Sequence, residues 1–242
     1  MSGIFIDTLT WPEVESALST YDTVVVPVGA QCKEHGLHLP LNTDWVFANY
    51  LTRRVVEACR VIALPTVGYG YYPAFTEYPG SVNIGAETFR DLVCDICRSF
   101  ARHGISKFYI LNTGISTIEP LAAARQALLA DGLRMEFSDL RDMAVAARKS
   151  VQRQSHGTHA DEIETSNMLY IAPQLIRMDR ATPELAVDRP GGLTRDPHAT
   201  AGVYSPTGAW GDPTLATAEK GRVVTEAIVE EIIDFLRREF RV

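Results

Sequence analysis

The run Thr23-Val24-Val25-Val26-Pro27-Val28-Gly29 limits the possible folds more than any other stretch of this chain, because it is apolar without alternation and closes on a glycine. A strand that is apolar at nearly every position has both faces covered, which is the habit of parallel sheets flanked by helices. Glu34, His35, His38 and Asp44 follow at once, bringing two carboxylates and two imidazoles into eleven residues. That order places the cluster on a loop at the carboxyl end of a strand, where open α/β sheets bind ligands. Oxygen and nitrogen donors of this kind suit a hard-to-borderline divalent metal.

Helical and strand-like patterns alternate along the rest of the sequence. Thr10 and Glu13 form a capping box with Pro12 in the first turn of a helix. Helical periodicity runs over 45–59, a strand is predicted over 61–67, and a loop rich in Gly, Tyr and Pro occupies 68–85. A loop that long and aromatic is expected to line a site, with Tyr69, Tyr71, Tyr72 and Phe75 as wall or core cover. Further helices are expected over 87–103, closed by Gly104, and over 121–130 and 143–152, with strands over 107–111 and 133–137. Residues 178–213 read as irregular, and 214–240 as a long amphipathic helix. The expectation is a layered α/β/α fold with a mainly parallel sheet, one domain spanning 1–242.

A formal charge of −7 leaves no basic stripe to displace phosphate counterions, which argues against nucleic acid as a partner. The N-terminus carries no basic and apolar leader pattern and no apolar run approaches a membrane span, so the reading is a cytoplasmic protein with no membrane partner. Small molecules and other subunits remain as partners. Cys32, Cys59, Cys94 and Cys97 do not make a disulfide framework in a chain this long. The lone pair Cys94 and Cys97 reads as core packing, and Cys32 as a small buried residue or an extra ligand.

A second polar cluster spans Ser155 to Ser166 and contains His156, His159, Asp161, Glu162 and Glu164. Acidic residues in a first helical turn complement the helix dipole, which is the plain reading of Asp161 and Glu162. Two histidines just upstream are harder to assign to structure. With the first cluster they supply ligands for Zn2+, Mn2+ or Fe2+, one or two ions per chain, in a catalytic role. A metal in such a set acidifies a bound water, and a nearby imidazole can carry a proton to a leaving nitrogen.

These residues resemble the creatininase family of metal-dependent amidohydrolases. The family's strand ending in Pro-x-Gly and its E-Q-H-G-x-H-L-P-L-x-x-D motif are similar to Pro27 through Asp44, and its H-A-x-E-x-E-T-S motif is similar to His159 through Ser166. Tyr78-Pro79-Gly80-Ser81 and Gly211-Asp212-Pro213 extend the likeness over nearly the whole chain. The resemblance implies that His35 and Asp44 are metal ligands, that Glu164 can supply a carboxylate ligand, and that His159 transfers protons beside the substrate. It also implies a homo-oligomer. Tyr78, Ser81, Thr113 and Trp210 are candidate substrate contacts at the matching positions.

Two positions depart from the family pattern. The metal-binding Glu stands two residues before the His, a place that here holds Lys33, while Glu34 is adjacent to His35. A bulge would bring Glu34 to the site; otherwise Lys33 puts a positive charge there. The family's N-G-H-G-G-N is Asn112-Thr113-Gly114-Ile115-Ser116-Thr117, so Gly114 replaces a ligand His. Either the site is mononuclear, or His156 fills the vacancy. The expected activity is hydrolysis of a non-peptide C–N bond, an amide, lactam or formamide, in a small metabolite. Peptide trimming in cofactor maturation and a non-catalytic binding protein are the alternatives.

Overall fold

The computed structural model describes residues 2–242. Five strands form one parallel sheet: β1 (Ile4–Phe5), β2 (Thr23–Val28), β3 (Ile62–Ala63), β4 (Lys107–Asn112) and β5 (Arg134–Phe137), in the order β1-β3-β2-β4-β5. The crossovers are α1 (Trp11–Leu18), α2 (Thr43–Ala58), α3 (Ala86–Ala101) and α4 (Ile118–Ala130); α5 (Val145–Val151) and α6 (Glu162–Ile171) follow the last strand. A two-stranded ribbon of β6 (Leu193–Thr194) and β7 (Val203–Tyr204) precedes α7 (Ala218–Phe235). The chain therefore has the α/β fold that its alternation predicts.

The unbroken valine run of β2 works because it is covered on both faces. Val24, Val26 and Val28 pack with Phe89, Val93, Cys94 and Cys97 of α3 and Leu121, Ala124 and Leu128 of α4. Val25 points the other way, into a core with Leu51 and Val55 of α2 and Val224, Ile228 and Ile232 of α7. Cys94 and Cys97 are thus apolar core groups, 1% and 0% exposed.

The strand expected over 61–67 is cut to two ladder residues. Leu64 N–H bonds the Val25 carbonyl and Val67 N–H bonds that of Pro27, so three steps on one strand face two on the other. Pro27 has no N–H to donate between those rungs, and Pro65 has none either; the ladder bulges there and regains β2 at the Val28–Val67 bridge. The last helix is also shorter than expected: residues 213–215 form a separate 3-10 turn, α7 starts after the Thr217 cap, and a π-turn covers 236–240.

Val28 and Asn112 are in register, so β2 and β4 release their chains at the same level. There Gly29 admits the amino end of α2: a Cβ at Gly29 would lie 2.4 Å from the Asp44 carbonyl oxygen. The glycine that closes the valine run is what brings Asp44 down onto the sheet edge.

Candidate metal centre and active site

The loop from Ala30 to Leu41 is tied at its base by Lys33 N–H to the Leu41 carbonyl, and its polar side chains turn inward. Lys33, Glu34, His35, His38 and Asp44 are each no more than 5% exposed. Burying so many charged groups requires that they satisfy one another. Lys33 Nζ meets Asp44 Oδ2 at 2.7 Å, His35 Nε2 lies 3.0 Å from Asp44 Oδ1, and His159 Nε2 donates to Glu34 Oε1 at 2.8 Å. Lys33 and Glu34 therefore both reach the site, Lys33 at Asp44 and Glu34 at His159.

His159 arrives from a different part of the chain. Its backbone pairs with Trp210 through N–H to carbonyl bonds in both directions. Ala160 then takes φ +46°, a left-handed conformation uncommon for a residue with a Cβ, before Asp161 caps α6 by accepting from the Ile163 and Glu164 N–H groups. This sharp turn aims His159 and Glu164 at the same spot. The expectation of helix-start chemistry for Asp161 holds in this geometry, and Gln154 Nε2 secures the same carboxylate at 2.6 Å.

Hydrogen-bond partners fix the histidine tautomers. His35 Nδ1 is 2.9 Å from the Lys33 carbonyl oxygen, which can only accept, so Nδ1 carries a proton. In the neutral ring Nε2 is then a lone pair, yet it faces Asp44 Oδ1 at 3.0 Å and Glu164 Oε1 at 3.7 Å. These three atoms are held together by a cation, either a proton on Nε2 shared with Asp44 or a metal ion among them. His159 Nδ1 is 3.7 Å from Glu164 Oε2, and one donor atom each of His35, His159 and Glu164 falls within 4.8 Å of the others. The donor chemistry of this set fits a divalent metal.

Electrostatics separates the groups by role. Burial would raise Asp44, but Lys33 and His35 outweigh it and hold the carboxyl well below its usual range. Burial would lower Lys33, yet Asp44 and Glu164 keep its ammonium above the ordinary lysine value. His159 is likewise raised, because Glu34 and Glu164 overcome its burial, while His159 in turn lowers Glu34. His38 goes the other way: burial pushes it down to about 4, and its Nε2 shares a hydrogen bond with Thr165 Oγ1.

A cavity of about 660 Å³ opens onto this cluster, and Lys33, His159, Glu164, Tyr72, Phe75 and Trp210 are among its walls. His35 and Asp44 lie behind that surface. Among the candidate substrate contacts, Thr113 and Trp210 line the cavity. Tyr78 Oη instead donates to the Ser205 carbonyl, and Ser81 Oγ accepts from Glu34 N–H, so these two hold the loop. His156 is exposed, with its ring against Ser155 Oγ and the Leu185 carbonyl, and is not brought to His35 or Glu164. Gly157 explains the separation: it takes φ +108° with its backbone tight against Gly211, so His156 and His159 leave the turn in different directions.

The family model for creatinine amidohydrolase matches residues 7–236. The chain belongs to the creatininase family. It is 29% identical to the creatinine amidohydrolase of Pseudomonas putida over 268 residues, covering 98% of each chain. It is also 29% identical to the mycofactocin precursor peptide peptidase of Mycobacterium ulcerans strain Agy99, covering 91% of this chain and 86% of that protein. Among solved structures, a manganese creatininase matches with a TM-score of 0.81 at 25% identity, covering 99% of this chain and all of the other. Relatives of this chain thus include both an amidohydrolase and a peptidase, and solved creatininases share its fold.

Two contributors to the site carry no motif of their own. Phe75 packs at a tilt against His159 with ring centroids 4.6 Å apart, which its place in an aromatic loop hints at. Gly208 lets the Glu34 carboxylate pack down, since a Cβ there would lie 1.9 Å from Glu34 Oε2. Nothing in the local sequence links Gly208 to a residue so far upstream.

Proposed function

We propose that this chain is a metal-dependent hydrolase of a non-peptide C–N bond, an amide, lactam or formamide, in a small metabolite. The observation that carries the reading is the convergence of Asp44 Oδ1 and Glu164 Oε1 on His35 Nε2. His35, Asp44 and Glu164 would hold one divalent ion, with Zn2+ the best match to the donors and Mn2+ or Fe2+ also compatible. When bound, the ion supplies a Lewis acid for a carbonyl and a water acidified toward neutrality.

The chain's own residues supply the proton inventory. His159 stands in the cavity wall, where it can reach a substrate, while His35 lies behind it. Glu34 accepts the His159 Nε2 hydrogen bond and raises the ring's affinity for a second proton, held at Nδ1 beside Glu164. From there it can pass to the departing nitrogen. Phe75 packs against the ring and helps to hold it in place.

The volume of the cavity suits a small substrate, and the kinship with creatinine amidohydrolase supports an amide bond. A screen of small amides and lactams against short peptides, on protein loaded with zinc, tests the reading. Turnover of the small amides that falls about 100-fold or more in His159→Ala is the expected result. Cleavage confined to peptides, or full turnover in His159→Ala, would refute the assignment.

A further inference from the structure

Asp44 divides its two oxygens between two positions. Oδ1 faces His35 Nε2 at 3.0 Å, and Oδ2 receives the Lys33 ammonium at 2.7 Å. That ammonium is housed: it lies 4.8 Å from the Phe75 ring centroid and 5.7 Å from that of Tyr72, over faces that attract a cation. Nearby, a Cβ at Gly114 would fall 2.9 Å from Thr117 Oγ1 and 3.4 Å from the Tyr72 ring, so Tyr72 and Thr117 close the space beside the position that lacks a ligand side chain. The two oxygens of one buried carboxylate thus face different groups: Oδ2 meets a cation that the chain itself supplies, and Oδ1 faces His35 at the metal position proposed above.

Charge decides how many ions the site can take. Glu34, Asp44 and Glu164 carry three negative charges against the single positive charge of Lys33. Even with His159 neutral, one divalent ion brings the group to electrical neutrality. A second would leave two positive charges in a largely buried site, where desolvation makes an uncompensated charge costly.

We propose that Lys33 is the built-in second cation of this site, sharing Asp44 with a single divalent ion and excluding another from its Oδ2 side. The inference rests on the metal position proposed above and narrows it to one ion per chain. Unlike a bound metal, the ammonium cannot be removed by a chelator, so the charge on Oδ2 is permanent.

The test is zinc content by mass spectrometry on full-length protein equilibrated with zinc, comparing wild type, Lys33→Glu and His35→Ala. One zinc per chain in wild type, two in Lys33→Glu and none in His35→Ala is the expected pattern. Circular dichroism shows whether Lys33→Glu is folded. Should it not fold, electron paramagnetic resonance of manganese-loaded wild type decides instead, an isolated Mn2+ signal supporting the inference and a spin-coupled pair overturning it. Two zinc ions in wild type, or no gain in a folded Lys33→Glu, would overturn the role of Lys33. Zinc retained at wild-type level by His35→Ala would refute the ligand set of the proposed function while leaving the count of one, and its dependence on Lys33, intact.

Discussion

Glu162 and Glu164 stand two residues apart at the start of α6, and the structure treats them oppositely. Glu162 is fully buried; its Oε2 accepts from the Arg153 and Gln154 N–H groups at 2.8 and 2.7 Å, and its Oε1 pairs with Lys220. Glu164 is 27% exposed at its side chain, accepts one hydrogen bond from Ala160 N–H, and otherwise faces two imidazoles at 3.7 Å. One carboxylate has its bonding capacity spent on the fold, and the other is left with capacity that the fold does not use. A completed network holds a structure together, whereas an incomplete one at a cavity is where a ligand can bind.

Removing Glu162 should therefore have the largest effect on folding. Glu162→Ala leaves Lys220 and two backbone N–H groups without their partner, and a cost of about 3–5 kcal/mol is expected for such a broken buried pair. Urea denaturation would show it as a lower midpoint at unchanged slope, with zinc per chain as in wild type under folding conditions. A loss below about 1 kcal/mol would erase the contrast between the two residues.

Glu164→Gln should do the reverse. It keeps the shape, so stability should change by about 1 kcal/mol at most, as for most substitutions outside a spent network. Zinc affinity, in contrast, should fall by about 100-fold or more, since even outer partners of metal sites contribute about 10–100-fold. Competition with a chromophoric chelator measures this directly. Equal affinity in variant and wild type would remove Glu164 from the ligand set.

His38 sharpens the same division, because its partner Thr165 follows Glu164 in the helix yet its bond is structural. Its folded pKa is pushed down to about 4 from 6.5, so the folded protein keeps it neutral while the unfolded chain takes up a proton first. The stabilising effect is fully present above about pH 6.5 and is lost as the pH falls toward 4. Between pH 7 and 4.5 the urea midpoint of wild type should drop further than that of His38→Gln, which has no proton to gain. Parallel slopes would show that His38 titrates alike in both states.

Much of this contrast is visible in the sequence, but not all. The valine run and its closing glycine announce a two-sided strand feeding a polar loop, because burial and chain direction are local properties. The clusters around His35 and His159 are legible for the same reason. Which carboxylate is satisfied is not legible, since the partners of Glu162 include Lys220, far along the chain, and those of Glu34 include the space left by Gly208. Two positions apart, Glu162 and Glu164 point to opposite faces of the helix, but periodicity does not say which face finds partners; the packing of α7 and the left-handed turn at Ala160 decide that. The short β3 has a comparable origin, for Pro27 acts on a neighbouring strand rather than on its own.

The smallest effect should come from His156, although its distance from His159 in sequence matches that of Asp161 from Glu164. His156 is exposed, and its ring is held only by Ser155 and the Leu185 carbonyl. Substitutions at such positions usually change stability by no more than about 0.5 kcal/mol. His156→Ala should leave zinc per chain, zinc affinity and the urea midpoint at their wild-type values. The contrast with Glu164 would then be complete, since both residues flank His159 but only one faces His35. If zinc affinity instead fell in His156→Ala, the 155–158 turn would have to close onto the metal in solution, with His156 supplying the ligand that Gly114 lacks.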